Sequence, residues 1–442
     1  MTYFFETYGC QMNSAESAAL DLVLRERGWT PAGAEERADL VLLNTCSVRQ
    51  TAEQRVYGRL AHYAALKKKQ GRPLTLIVAG CMAQRLGEEL KRRFPEVDFV
   101  MGTAARSQFP LILQAVERGR AGDAFFLNVD EAPVFSFSSL HHEEGHFRSF
   151  VPIMHGCNNY CSYCIVPYVR GPEISRDPES ILAEIRLLAD RGVREITLLG
   201  QNVNSYCRQG KRFPELLERI AEAVEGTSIR RIRFLSANPK DFSSQTVQVL
   251  AAHRVFCRHL HLCVQHGSNR VLEAMNRRYT RERYLELVGE IREALPEITL
   301  STDILIGFPG ETEDDVNATL SLMEEVKFLY AYMYHYNPRE GTAAFTLPDR
   351  VSEVVKRERL ARVIALQKQH TKERLRSRIG SRERVLVEGI SRRNAGELIT
   401  RTERDEMAVV PGNSALIGSF AELTLESLRG NTFRAGSLDP LD

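Results

Sequence analysis

Short apolar runs alternate with helix-patterned stretches along the first part of the chain. Tyr3–Thr7, Asp39–Asn44, Thr75–Ala79 and Phe99–Met101 read as buried parallel strands. Ser14–Arg27, Ala52–Lys69 and Leu86–Phe94 carry the apolar spacing of amphipathic helices. This alternation predicts an open, Rossmann-like α/β domain over residues 1–131. Residues 132–148 lose the pattern and read as a linker. Ser136, Ser138, Ser139, His141, His142 and His146 cluster there, with a histidine spacing that fits no standard metal site, so a solvated segment is expected.

Alternation then resumes over 149–378. Candidate strands are Phe150–His155, Glu195–Gly200, Arg231–Leu235, His259–Val264, Ile298–Gly307 and Leu329–Tyr336. Between them lie helical stretches such as Pro178–Arg191, Pro214–Glu225 and Arg281–Ala294. Such units predict a partial (β/α)6 barrel with its active site at the C-terminal strand ends. Val351–Arg378 is one long, basic, helix-patterned stretch. Beyond Gly380 the pattern shortens to Arg384–Glu388, Glu397–Arg401, Met407–Val410 and Phe420–Leu428. That predicts a small β-barrel of about five strands over 379–442.

Composition narrows the picture without changing it. At 442 residues the chain is too long for one core, and 43% hydrophobic with 26% charged residues is ordinary globular composition. No apolar run approaches the ~20 residues of a membrane span. Met1–Cys10 lacks a signal-peptide pattern, so a cytoplasmic location without membrane association is expected. Net charge is only +2, but Lys356–Arg384 is dense in Lys and Arg, an asymmetry suited to phosphate contacts. Nine cysteines, an odd number, favour metal or redox use over a disulfide framework.

Two sets of cysteines carry the chemistry. Cys157, Cys161 and Cys164 form CxxxCxxC directly after an apolar strand. Thiolates are natural iron–sulfur ligands, and three of them leave one iron of a [4Fe–4S] cluster open to chelate S-adenosylmethionine (SAM). The competing readings are a zinc site, which usually wants four ligands, or buried free thiols. Cys10, Cys46 and Cys81 each close a strand of the first domain, so parallel pairing brings them to one sheet edge. A second cluster with an open iron follows, against the alternative of three unrelated core cysteines. Cys207, Cys257 and Cys263 show no such pattern and read as core or incidental, with Cys263 in a barrel strand that could border the active site.

With both sets in view, the chain resembles the radical SAM methylthiotransferase family over its whole length. Thr7–Asn13, Asn44–Arg49, Gly80–Gln84, Cys157–Gly171, Leu199–Tyr206, Leu260–Ser268 and Gly307–Thr312 carry the resemblance. The tRNA-modifying branch that acts on isopentenylated adenosine is closest. The C-terminal strands resemble a TRAM domain, a small RNA-binding barrel. The resemblance implies two [4Fe–4S] clusters, on Cys157, Cys161 and Cys164 and on Cys10, Cys46 and Cys81. It also implies SAM contacts from Tyr163, Gln201, Asn202, Ser236, Gln265, Asp303 and Phe308. The implied reaction is methylthiolation of carbon 2 of N6-isopentenyladenosine next to the anticodon. One SAM methylates a sulfur on the second cluster, and another supplies the radical. Implied partners are the tRNA anticodon stem-loop, a low-potential electron donor and a sulfur donor, with the chain a monomer.

Three other readings stay open. They are methylthiolation of threonylcarbamoyladenosine, methylthiolation of a ribosomal-protein aspartate, and a non-catalytic iron–sulfur RNA-binding protein. Gln11–Asn13 and Ser47–Arg49 argue against the first two. The chain also departs from the family's usual pattern. Cys263 stands where proline is usual, His266 where serine is, and Ser236-Ala-Asn-Pro239 replaces a Ser-His-Pro pattern.

Overall fold

A computed structural model describes residues 1–47, 50–69, 73–119, 124–126 and 146–441. The serine- and histidine-rich stretch, His146 excepted, lies outside the described residues.

The N-terminal unit runs β1 (Thr2–Thr7), α1 (Gln11–Glu26), β2 (Thr30–Pro31), β3 (Leu40–Thr45), α2 (Gln50–Lys69), β4 (Thr75–Gly80), α3 (Cys81–Leu86), α4 (Glu88–Arg93), β5 (Phe99–Met101), α5 (Phe109–Glu117) and β6 (Ala124–Phe126). Its six strands are parallel in the order β2-β1-β3-β4-β5-β6. Alternation along β3 explains the layering. Leu40 and Leu42 pack with Leu20, Leu24, Phe109 and Ile112 on one face, and Val41 and Leu43 with Val56, Leu60 and Met82 on the other. The helix expected over Leu86–Phe94 is Glu88–Arg93, and a second short helix, Cys81–Leu86, precedes it across Gly87.

The central unit comprises β7 (Arg148–Pro152), β8 (Met154–His155), α6 (Val166–Arg170), β9 (Ile174–Ser175), α7 (Pro178–Asp190), β10 (Glu195–Leu199), a β11–β12 hairpin (Cys207–Arg208, Lys211–Arg212), α8 (Phe213–Val224), β13 (Arg231–Phe234), α9 (Ser244–Ala252), β14 (His259–His261), α10 (Asn269–Ala274), α11 (Arg281–Ala294), β15 (Thr299–Ile306), α12 (Glu313–Val326) and β16 (Tyr330–His335). Two parallel three-stranded sheets, β7-β10-β13 and β14-β15-β16, are joined by isolated bridges such as Ile232 to Phe256 and Ala237 to Leu262. The result is an open barrel of six strands. Leu260, Leu262, Val264, Leu300, Ile304 and Ile306 sit in the helix-covered core. The alternate residues His259, His261, Cys263, Ser301 and Asp303 share the opposite face, the lumen. Sequence placed Phe150–His155 in one strand. Met154 and His155 instead leave the barrel and pair antiparallel with β9.

Helix α13 (Glu353–Arg376) leads into β17 (Arg382–Ser391), β18 (Asn394–Thr402), β19 (Met407–Pro411), β20 (Phe420–Thr424), β21 (Ser427–Arg429), β22 (Thr432–Arg434) and β23 (Asp439–Pro440). These seven strands form one sheet, rather than about five, because Phe420–Leu428 divides into two strands and the tail adds two more. The C-terminal unit sits under the N-terminal ends of the barrel strands. Arg231, almost fully buried at the start of β13, donates to the carbonyls of Arg401 and Arg384 at 2.8 and 2.7 Å. Arg233 donates to those of Thr402 and Glu403, and Arg148 at the start of β7 pairs with Glu388. Leu329, just before β16, and Leu375 of α13 belong to the small unit's own core.

The basic stretch behaves differently from its sequence reading. Lys356 is buried and donates to the carbonyl of Tyr336, while Arg359 and Arg362 pair with Glu311 and Glu313. Arg374 donates to the carbonyl of Lys327, and Arg378 pairs with Glu383 and Glu406. These cations fasten α13 to the barrel and the small sheet. Arg357, Lys368, Lys372 and Arg376 are exposed.

Candidate active site: two cysteine triads at one barrel mouth

Cys157 follows β8 through Gly156, whose φ is +78°. A Cβ at Gly156 would lie 1.9 Å from the carbonyl oxygen of Pro172, so only glycine fits. The Gly156 N–H donates to Gln201 Oε1 at 2.6 Å, and Cys157 N–H to Gly171 O at 3.1 Å. The segment after α10 staples the rest of the loop. Ser162 donates to the carbonyls of Ala274 and Met275, and the Asn276 amide to those of Asn159 and Tyr160. Arg277 is buried against this loop. It donates to Cys161 Sγ at 3.3 Å and to the Cys263 carbonyl at 2.9 Å.

The other three cysteines lie at the ends of adjacent parallel strands. Register pairs Thr7 with Asn44 and Thr45 with Gly80, so Cys10, Cys46 and Cys81 meet at one edge, as expected from sequence. Gly9 allows the approach, since a Cβ there would lie 2.6 Å from Cys46 Cβ. Asn13 organises the edge. Its amide donates to the carbonyls of Tyr8 and Thr45, and its Oδ1 accepts from Arg170 at 2.9 Å. Cys81 packs on Ile165 and Val169, which follow Cys164 in sequence. The segment that follows one triad therefore packs on the sheet edge that gathers the other, at the junction between the N-terminal unit and the barrel.

The donor sets fit iron–sulfur clusters. Burial pushes the thiols of Cys81 and Cys157 up to about 11 and that of Cys164 up to about 12, and neighbouring cysteines add to the rise. Thiols grouped this way ionise only beside strong positive charge, which cluster iron supplies. Around the first triad, Tyr163 and Phe308 share an apolar cluster with Val271, Met275 and Tyr336. Asn202 is buried with its Oδ1 unpartnered, an acceptor suited to an ammonium group. Ser236 and Gln265 both hold positive φ, +64° and +69°, at the barrel mouth. Asp303 aims Oδ2 toward Cys263 and His261 in the lumen. Of the family departures, His266 is wholly buried against Glu311 and Thr319 and does not face the mouth.

Sequence reasoning missed Arg277, Arg170 and Glu16. Each reads as a solvated charge, and only contact with partners more than a hundred residues away reveals it.

Comparison with known proteins bears directly on this arrangement. Residues 151–323 match the radical SAM superfamily, 2–102 the uncharacterized protein family UPF0004, and 376–436 the TRAM domain. A tRNA-2-methylthio-N(6)-dimethylallyladenosine synthase of Treponema denticola is 50% identical, covering 98% of this chain and 99% of its own. The chain belongs to the tRNA-2-methylthio-N(6)-dimethylallyladenosine synthase family. Family members from Geobacter sulfurreducens and Moorella thermoacetica are 44% and 41% identical over 96% of the chain, covering 94% and 95% of their own. The radical S-adenosylmethionine methyltransferase TsrM of Kitasatospora setae, solved with cobalamin and a [4Fe-4S] cluster, shares the fold at a TM-score of 0.59 and 17% identity, over 78% of this chain and 77% of its own. As a synthase of this family, the chain works with SAM and [4Fe–4S] clusters. Among the described residues, no helix is long and apolar enough to cross a membrane.

Proposed function

We propose that this chain is a transferase that adds a methylthio group to carbon 2 of N6-isopentenyladenosine beside the tRNA anticodon. The packing of Cys81, from the sheet edge that gathers one triad, on Ile165 and Val169, which follow the other, carries this reading. Carbon 2 of adenine is unactivated, so a radical source and a sulfur source must converge on one base. When bound, the clusters supply a SAM-derived carbon radical at one triad and a methylated sulfur at the other.

The chain's own residues hold these groups. Cys157, Cys161 and Cys164 bind one cluster, and Cys10, Cys46 and Cys81 the other. Arg277 donates a hydrogen bond to Cys161 and steadies the loop. Gln201 braces the cluster loop through Gly156, and Asn202 Oδ1 accepts from the SAM ammonium. Tyr163 and the Phe308 backbone wall the adenine, while Ser236 and Gln265 meet the rest of SAM from the strand ends. The target base leaves its stack to enter the mouth. The C-terminal unit (379–442), joined to the barrel unit (149–378), grips the anticodon stem-loop through phosphates. Residues 1–131 form the sulfur-presenting unit, with 132–148 as connection. The protein acts as a cytoplasmic monomer, served by a low-potential electron donor and a sulfur donor.

Mass spectrometry of tRNA nucleosides tests the reading. Anaerobically reconstituted protein with dithionite, SAM and isopentenylated tRNA should yield the 2-methylthio nucleoside. Product only on threonylcarbamoylated tRNA, or no 5′-deoxyadenosine at all, would sink it.

A further inference from the structure

The barrel lumen holds a second donor set that the cysteine triads do not use. His261, Cys263 and Asp303 bring one nitrogen, one sulfur and one carboxylate oxygen within 4.8 Å of one another. The Cys263 thiol donates to Asp303 Oδ2 at 3.4 Å, and His261 Nε2 lies 3.6 Å from the same oxygen. The second separation is too long for a hydrogen bond. Tetrahedral zinc, with bonds of about 2.3 Å to sulfur and about 2.0 Å to nitrogen and oxygen, sets S···O near ~3.5 Å and N···O near ~3.3 Å. These two separations match ligands around one ion, and the third donor pair lies within 4.8 Å.

The surroundings hold these ligands in place. His261 Nδ1 bonds Ser301 Oγ at 2.9 Å, which orients the ring and leaves Nε2 toward the other two donors. Ser301 Oγ also meets His259 Nε2 at 2.9 Å, and His259 Nδ1 meets Thr299 Oγ1 at 2.8 Å. Thr299 in turn donates to the carbonyl of Arg404 in the C-terminal unit. On the other side, Arg277 and Tyr279 both donate to the Cys263 carbonyl, at 2.9 and 3.1 Å. Both shells are therefore fixed by packing from above and below. The family's usual proline at this position would leave only a His–Asp pair, and Cys263 adds the third, soft donor.

We propose that His261, Cys263 and Asp303 bind a single divalent cation of borderline softness, zinc by preference, in the barrel lumen between the radical-forming cluster and the RNA-binding unit. Neutral imidazole, thiolate and carboxylate together carry two negative charges, matching such an ion, and water completes the tetrahedron. This site uses none of the six cysteines of the two triads, takes Asp303 as an ion ligand rather than a SAM contact, and does not depend on which RNA is modified.

The test uses full-length protein with both clusters reconstituted, loaded with Zn2+ and washed with a mild chelator. Elemental analysis should find about one zinc beside about eight irons per chain. Zinc K-edge absorption should show one sulfur among nitrogen and oxygen neighbours. Cys263→Pro, the residue usual in relatives, and Cys263→Ser should lose the sulfur neighbour and most of the zinc while keeping the iron. Retained iron reports an intact fold. Three outcomes would each overturn the site: no zinc after loading, equal zinc with an unchanged shell in Cys263→Pro, or an all-sulfur shell, which would place the ion in a cluster triad.

Discussion

Arg170 and Glu16 form a buried ion pair, Nη1 to Oε1 at 2.6 Å, between α6 beside one cysteine triad and α1 beside the other. Arg106 reaches the same carboxylate. Burial alone would raise the Glu16 carboxyl, yet the two guanidiniums hold it below the ordinary range. Glu16→Gln leaves two buried guanidiniums without their counter-charge, which should destabilise the protein by roughly 3–5 kcal/mol. Arg25→Ala, which breaks a partly exposed helix pair with Asp21, should change stability by less than about 1 kcal/mol. Anaerobic urea denaturation of both variants checks the contrast.

Separate duties for the two triads give a sharper expectation. Replacing Cys10, Cys46 and Cys81 by Ala should abolish the methylthio nucleoside and remove about half the iron. SAM cleavage to 5′-deoxyadenosine should continue. Loss of both activities with the first cluster intact would contradict the division.

Arg277 donates to Cys161 Sγ, a cluster ligand on the proposed reading, and such donors stabilise the more reduced, more negative cluster. Arg277→Met should lower the midpoint potential of the first cluster, read by EPR-monitored redox titration. It should also cost about 2 kcal/mol of stability, because Cys263 O loses a charged donor. An unchanged potential would reduce Arg277 to a purely structural role.

Arg231 is one of the anchors of the C-terminal unit, beside Arg233 and Arg148. Arg231→Met removes donors to two carbonyls and should expose the segment around Arg384 and Arg401 to limited proteolysis. Modification of tRNA should fall more than cleavage of SAM alone.

Asp315 supplies a pH signature. Burial raises its carboxyl, but Ser268, Thr312 and Arg270 outweigh burial and hold it well below the ordinary carboxylate range. Its folded pKa is depressed, so its stabilisation is complete above the unfolded value near ~4 and fades as pH falls toward the folded value. Thermal melts of cluster-free protein should show Asp315→Asn less stable at pH 7. The gap should narrow in acid, and a constant gap from pH 7 to pH 2 would refute the assignment.

Much of this architecture was legible because its signals are local. Cys10, Cys46 and Cys81 each terminate an apolar run, and parallel pairing then forces them together. Boundaries failed where tertiary geometry overrode local pattern. His259–Val264 is apolar enough for a full strand, yet regular pairing stops at His261. Gly87 divides an otherwise helical stretch. The basic stretch around α13 reads as an RNA-facing helix because sequence does not show that Glu311 and Glu313 stand opposite its cations, and Glu383 opposite Arg378 just beyond it. Arg277 and Arg170 were invisible for the same reason.

The hydrogen bonds from Arg231 and Arg233 to the backbone of Arg384, Arg401, Thr402 and Glu403 make the foot of the barrel a fixed mount. If that module holds the stem, as proposed, it would work as a ruler. The span from that hold to the reactive opening would then be built into the protein, and the modified nucleotide would be selected partly by length along the stem. Lengthening that stem by one base pair should then shift or abolish modification even when the loop sequence is untouched.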